Sequence, residues 1–194
     1  MAATGPELAF RCECGAVRGA VEDAVPAGWT HALCHCRDCR GAYAHLGRDD
    51  PGTVPLLQTT QDRIRIDAGR EHLEAFRHSR QGGMRWFAAC CRAPMFYLPT
   101  RPRLVIVSLN ADRLEAPEAI GAPVAEAFIP AGPGRTRHRG GLRLLGAALT
   151  RLVAKNLNGE WRATPFFAEE GTPAVRPHVL TREECAAAMR ALRG

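Results

Sequence analysis

The chain has 194 residues, 46% of them hydrophobic and 24% charged, with a formal net charge of +6. That length suits one well-packed domain with a substantial extension, or two small domains, and the composition excludes wholesale disorder. No stretch approaches the roughly 20 uninterrupted apolar residues that span a bilayer, and residues 1–8 lack the basic and apolar regions of a secretory leader, so the expected compartment is cytoplasmic.

Residues 8–21 read as two short strands meeting at Cys12-Glu13-Cys14-Gly15, where glycine allows the positive φ that a tight metal-binding turn needs. A second such element, Cys34-His35-Cys36-Arg37-Asp38-Cys39, leads into a helical turn around 40–46. Residues 54–109 alternate short strands and turns. Within them Arg63-Ile64-Arg65-Ile66-Asp67 has the period of a half-buried strand, and Gly69, Gly82 and Gly83 punctuate hairpins. Residues 95–98 and 104–109 form further strands around the turn Pro99-Thr100-Arg101-Pro102. Proline and glycine dominate 117–134, which suggests a linker or an irregular wrapping segment. Leucines at 142, 145, 149 and 152 then predict an amphipathic helix over 142–157, stopped by Asn158-Gly159. Its leucines are expected to face the β domain, with Arg143, Arg151 and Lys155 in water. The stretch 161–167 is expected to pack back on the core. Thr181 and Glu184 predict a capping box ahead of an alanine-rich helix to Leu192. The chain thus divides into a β domain, 8–110, and an extension, 111–194.

Thiols stay reduced in the cytoplasm, so the eight cysteines are read as metal ligands or catalytic groups before disulfides. Seven fall in three clusters: Cys12 with Cys14, Cys34 with Cys36 and Cys39, and Cys90 with Cys91. Zinc takes tetrahedral thiolate ligands, usually in pairs on short turns. The outer pairs could supply a closed four-sulfur site. The central three sulfurs are one ligand short of closure, the arrangement of a catalytic zinc with an open position. Consecutive side chains of an extended strand point to opposite faces, so either the backbone bulges at Cys90-Cys91 or only one of them binds. Cys185, in its alanine-rich helix, reads as a small buried hydrophobe.

With these residues in place, the chain resembles the glutathione-dependent formaldehyde-activating enzyme family, which includes centromere protein V. The resemblance runs over 10–109 and rests on Cys12-x-Cys14-Gly15-Ala16-Val17, Cys34-His35-Cys36-x-x-Cys39, Gly69 with Glu71 and Leu73, Ser79, Arg85, and Phe87 through Cys91 to Pro94-Met95-Phe96-Tyr97. The Ala89-Cys90-Cys91-Arg92-Ala93-Pro94 run is similar to that of a bacterial subfamily. The resemblance implies a mainly β fold, the β-tent (Gfa-like) arrangement of zinc-binding antiparallel sheets, here with a C-terminal helical extension. It implies that Cys12, Cys14 and Cys91 hold a structural zinc, while Cys34, Cys36 and Cys39 hold an exchangeable one at the reactive site. The family's late motif is Phe-Cys-x-x-Cys-Gly. Here Ala88 stands at its first cysteine and Arg92 at its glycine, so either Cys90 supplies the missing ligand or the structural zinc is weakened.

The implied function is that of a zinc-dependent carbon–sulfur lyase acting on the adduct of an aldehyde with a glutathione-type thiol, with Cys34, Cys36 and Cys39 as catalytic residues. Arg37, Arg40 and Arg85 could attract the carboxylates of such a thiol, although a surface role is the plainer reading. His35 could act as a base or be turned away from the metal, and His45 is the weaker candidate. Asp38 reads as a helix cap, Trp86 and Phe87 as core. The competing class is a non-enzymatic, zinc-stabilised binding module that meets an anionic partner through Arg135-Thr136-Arg137-His138-Arg139 and the following helix, which could also lie on an acidic membrane surface. The scattered arginines disfavour a dedicated nucleic-acid face.

Overall fold

Thr30–Cys34 alternates buried and half-buried residues as a strand with one inward face does, whereas Met84–Ala88 and Ile106–Asn110 are buried along most of their length. The computed structural model describes residues 6–24 and 26–192. Residues 1–5, part of the stretch read for a leader, lie outside the described residues. The elements are β1 (Leu8–Arg11), β2 (Arg18–Val21), β3 (Thr30–Cys34), α1 (Arg37–His45), β4 (Val54–Thr60), β5 (Ile64–Ala68), β6 (Leu73–Arg77), β7 (Met84–Ala88), β8 (Ala93–Leu98), β9 (Ile106–Asn110), β10 (Ala125–Pro130), β11 (Thr136–Arg139), α2 (Gly141–Leu157), β12 (His178–Val179) and α3 (Arg182–Ala191). The protein is mainly β, with two sheets and a few helices. No helix among the described residues is long and apolar enough to cross a membrane.

The smaller sheet has the order β1-β2-β5 and is antiparallel. The larger has the order β11-β10-β3-β4-β9-β8-β7-β6-β12. Its neighbours are antiparallel except β10 with β3 and β12 with β6, which run parallel. The Pro/Gly-rich stretch read as a linker therefore contributes a strand to the main sheet. Ala125 pairs with Ala32 and Ala127 with Cys34.

The core lies between the two sheets. Phe10, Leu57, Met84, Leu98, Leu109 and Phe166 are almost wholly buried. Phe166 meets Trp86 and Phe96 edge to face, with ring centroids 5.3 and 5.1 Å apart, so the 161–167 stretch does return to the core. A satellite cluster of Ala42, Leu46, Phe76 and Leu180 fastens α1 and α3 to the sheet. At Gly69 φ is +75°, and a Cβ there would lie 2.3 Å from the carbonyl oxygen of Ala16. Only glycine lets this turn lie so close to the backbone below Cys12–Gly15.

Both helices expected in the extension form, one with a different face inward. At α3 the capping box is present: Thr181 Oγ1 accepts from the Glu184 N–H at 3.1 Å, and Glu184 accepts from the Thr181 N–H at 2.7 Å. In α2 Leu142, Leu145 and Leu149 of the expected stripe face out, and Leu152 is half-buried. Arg151 instead turns inward and donates to Thr30 and Gln58, each at 3.1 Å, and Lys155 pairs with Asp62 at 2.6 Å. The sheet under α2 offers the Thr30 hydroxyl and the Gln58 amide, and the turn after β4 the Asp62 carboxylate, and the cationic side chains satisfy them.

Candidate metal centres

The first centre joins two turns. In one, the Cys12 N–H donates to Val17 O at 2.9 Å and the Gly15 N–H to Cys12 O at 3.0 Å, with Gly15 at φ +79°. The other is the turn 89–92 that closes the β7–β8 hairpin. Because Cys90 and Cys91 stand in a turn and not in a strand, the alternation of neighbouring side chains does not apply, and both sulfurs converge. Arg92 takes φ 57° to make this possible, the position at which the resembled family carries glycine. Sulfur atoms stand 3.5 Å apart for Cys12–Cys14, 3.8 Å for Cys12–Cys90 and 3.3 Å for Cys14–Cys90. All four, Cys91 included, lie within 4.8 Å of one another. Four thiolates at about 2.3 Å from a tetrahedral zinc would stand about 3.8 Å apart. The spacing therefore fits a metal ion, and it is far longer than the roughly 2 Å of a disulfide.

A set of polar contacts that local sequence does not signal braces this centre. Arg48 donates to the backbone oxygens of Cys91 and Arg92 at 3.0 and 2.9 Å, and forks onto the Glu13 carboxylate. Arg113 also reaches Glu13, at 2.8 Å. The hydrogen bond from Arg48, more than the opposing burial or the Arg113 bond, holds the Glu13 carboxyl below its ordinary range. Glu13 sits between two ligands, but its partners lie far along the chain, so nothing nearby announces them.

The second centre is built on the end of β3 and the start of α1. Cys34 closes the strand, and Cys36 is the N-cap residue of the helix, its sulfur accepting the Cys39 N–H at 3.3 Å. Cys34 Sγ stands 3.4 Å from Cys36 Sγ and 3.5 Å from Cys39 Sγ, and all three lie within 4.8 Å of one another. Among the described residues no histidine or carboxylate completes the set. Hydrogen bonds from the Cys34 and Cys39 thiols, then the Cys39 amide and the charge of Arg85, push Cys36 down to about 2. The hydrogen bond to Cys36, against an opposing bond with Cys39 and helped by burial, pushes Cys34 up to about 11, and the bonds to Cys34 and Cys36 with burial raise Cys39. Negative charge thus settles on Cys36, where a helix N-terminus favours it.

The other residues singled out in sequence take the following places. His35 turns away from the sulfurs: Nε2 is 3.2 Å from Glu126 and Nδ1 3.1 Å from the Thr53 hydroxyl. The neutral tautomer that suits both contacts donates to Glu126 and accepts from Thr53. His45 packs against Phe76 with the rings tilted by 51° and their centroids 4.5 Å apart. Asp38 lies in the first turn of α1, while the capping role belongs to Cys36. Arg85 is 8% exposed; it donates to Asp38 O and Gly83 O, each at 3.2 Å, and its guanidinium lies 5.1 Å from the centre of the Tyr97 ring. Arg40 is held by Asp50. Trp86 is core, and Phe87 packs on the satellite cluster. Cys185 lies outside both centres and donates to His78 O at 3.3 Å.

The three sulfurs border a cleft of about 300 Å³ walled by Arg85, Tyr97, Phe128 and Leu144. On the other side of Cys36 a second cleft of about 500 Å³ is lined by Arg37, Arg40 and Arg135. Phe128 occupies a bulge of β10 at φ 59°. Phe128 and Leu144 belong to the extension, which is why reasoning on the first 110 residues does not find them.

A family model described as "Family of unknown function (DUF6151)" matches residues 6–125. The matched span includes both cysteine centres and reaches the first residue of β10. No curated protein sequence matches the chain. Among solved structures, the chain is similar to a crystal structure of a Rhodobacter sphaeroides protein determined as a structural-genomics target. The identity is 21%, the match covers 59% of this chain and 96% of that one, and the TM-score is 0.42.

Proposed function

The chain belongs to the DUF6151 family, and we propose that it is a zinc-dependent enzyme of thiol–aldehyde chemistry, of the carbon–sulfur lyase type, with Cys34, Cys36 and Cys39 at its reactive centre. The observation that carries this reading is a set of three sulfurs at metal-binding spacing, one ligand short of closure, beside an open cleft. In the same reading the sheets form a β-tent, and Cys12, Cys14, Cys90 and Cys91 hold a purely structural zinc.

A zinc ion on the three sulfurs would supply an acceptor for a thiolate and a Lewis acid for a carbonyl oxygen. The protein's own groups supply the rest. Cys36 stays ionised at the helix N-terminus and keeps the centre ready for a cation. Arg85 is fixed by two carbonyl oxygens and the Tyr97 ring, so it adds positive charge without moving. Arg37 and Arg135 line the adjacent cleft and suit the carboxylates of a glutathione-type thiol. In the overall conversion a thiol sulfur bonds to the aldehyde carbon and the thiol proton passes to the oxygen; the reverse breaks the carbon–sulfur bond and restores both. The alternative, a zinc-stabilised binding module without catalysis, draws on the basic residues before α2.

The test is metal content in protein purified without chelator, compared with a C34S/C36S/C39S variant. About two zinc ions per chain falling to about one, with the fold retained, is the expected result. A thiol–aldehyde assay should then lose its protein-dependent signal in the variant. Unchanged zinc in the variant would remove the metal from the proposed reactive centre, and loss of the fold along with the zinc would make that centre structural.

A further inference from the structure

The surface of α2 has a feature that neither metal centre uses. Nine large hydrophobic residues are exposed among the described residues, and five of them are Leu142, Leu145, Leu149, Val153 and Leu157. They are 47–89% exposed and recur every three or four positions, so they form one stripe along a helix of 17 residues. The opposite face is anchored by Arg151 and Lys155 to the sheet and its adjoining turn. The stripe is therefore presented to the outside by a fixed helix. Large contiguous apolar patches on a protein surface mark contact sites.

Charge identifies the partner. Between Ala127 and Gly159 there are six arginines and lysines and no aspartate or glutamate. Arg139 pairs with Glu126, Lys155 with Asp62 and Glu160, and Arg151 turns inward, so Arg135, Arg137 and Arg143 carry the outward charge. Arg137 and Arg139 lie on β11, which is exposed throughout, and Arg143 is exposed in the first turns of α2. We infer that this face docks on an anionic lipid surface, the leucine stripe entering the acyl boundary while the arginines meet the headgroups. An apolar helical face flanked by basic residues is the pattern of an interfacial helix, and each basic residue near an anionic membrane adds attraction. A second copy of the chain fits less well, because face-to-face pairing would bring two basic bands together, and Glu126 beside them is already paired with Arg139 at 3.1 Å. A nucleic acid would leave the leucines against a hydrated polyanion. The inference does not depend on the identity or chemistry of the metal.

The test is co-sedimentation of the purified full-length chain with vesicles of phosphatidylcholine, with and without about one third phosphatidylglycerol. Binding is expected only to the anionic vesicles, and it should weaken as salt screens the headgroups. L145Q/L149Q, at exposed positions, should lower partitioning by about tenfold or more, and R137Q/R143Q should lower it in parallel. Circular dichroism verifies that each variant is folded. Failure to bind anionic vesicles, or binding that the leucine variant leaves unchanged, overturns the inference. Light scattering that shows a dimer dissolved by L145Q/L149Q would assign the stripe to self-association instead, and duplex DNA binding without vesicle binding would assign the face to nucleic acid.

Discussion

The Arg92 side chain donates through Nε to the carbonyl oxygen of Leu46 at 2.9 Å, and through Nη2 to that of His45 at 3.1 Å. The turn that carries Cys90 and Cys91 is thereby fastened to the C-terminal end of α1, whose N-terminal end carries Cys36 and Cys39. The last carbonyls of a helix need such donors, and a cation suits that end of the helix dipole.

Arg92→Ala removes these bonds and keeps a side chain in the left-handed region. It should lower stability by about 1 kcal/mol, since the site is exposed. Arg92→Gly loses the same bonds but relieves a backbone strain of about 1 kcal/mol, so it should be close to neutral. Urea unfolding of the two variants gives the comparison. A glycine variant less stable than the alanine variant would mean that the backbone at this position is not strained.

Gly69→Ala should be much more damaging. A Cβ there would meet the Ala16 oxygen at 2.3 Å and the Val17 Cα at 2.9 Å, with φ fixed at +75°. Left-handed strain and the forced backbone shift together should cost about 2–4 kcal/mol. Thermal unfolding measures this, and a change below about 1 kcal/mol would show that the turn has room to open.

The two centres should release metal separately. Cys14 and Cys90 are exposed and no cysteine of the three-sulfur centre is, so the difference rests on ligand number, three sulfurs against four. A chelator titration followed with a zinc-sensitive dye should therefore show one ion leaving the folded protein and a second leaving only on unfolding. Release in a single step would show that ligand number does not separate the centres. Cys185→Ala should leave both steps unchanged.

Acid should weaken the packing of α1 against its neighbours through His78. Its Nε2 is 3.0 Å from the Asp38 oxygen and donates there, which leaves Nδ1 as the unprotonated nitrogen, buried and without a partner. Burial first, and the charge of Arg85 second, lower its pKa below the ordinary value of 6.5. The unfolded chain therefore takes up this proton at a higher pH than the folded one. The contribution to stability is complete above pH 6.5 and is lost as pH falls from there through the lowered value. His78→Gln can still donate to Asp38 O but does not titrate, so its stability should fall less between neutral and mildly acidic pH. The quantity to measure is the difference between the two pH profiles, because thiolate protonation affects both. Parallel profiles would show that His78 is protonated in the folded protein as easily as in the unfolded one.

The cysteine clusters are legible in sequence because close spacing on short turns leaves sulfurs few other arrangements. The capping box at Thr181 and the alternation at Ile64 and Ile66 are legible for similarly local reasons. The face that α2 buries is not. Periodicity announces an apolar stripe, but the packed side is decided by Thr30, Gln58 and Asp62, which lie on distant elements and offer partners to Arg151 and Lys155. β10 is hidden by its Pro/Gly-rich surroundings, since its pairing with β3 is long-range and parallel. The braces Arg48 and Arg113 escape notice because an arginine in a loop gives no sign of which distant carboxylate it will reach. The geometry at Cys90 and Cys91 depends on Arg92 adopting a conformation that sequence rules assign to glycine.

The pairing of β10 with β3 also sets an order of events. During synthesis Cys34, Cys36 and Cys39 emerge well before Ala125–Pro130, so their strand waits as an open edge while most of the β domain is already available to fold. Contacts so far apart in sequence close late. The three thiols are then reachable from bulk solvent throughout that interval, and the cleft wall containing Phe128 is completed only when the late strand docks. An ion that these thiols would hold can therefore reach them before the cleft is shaped.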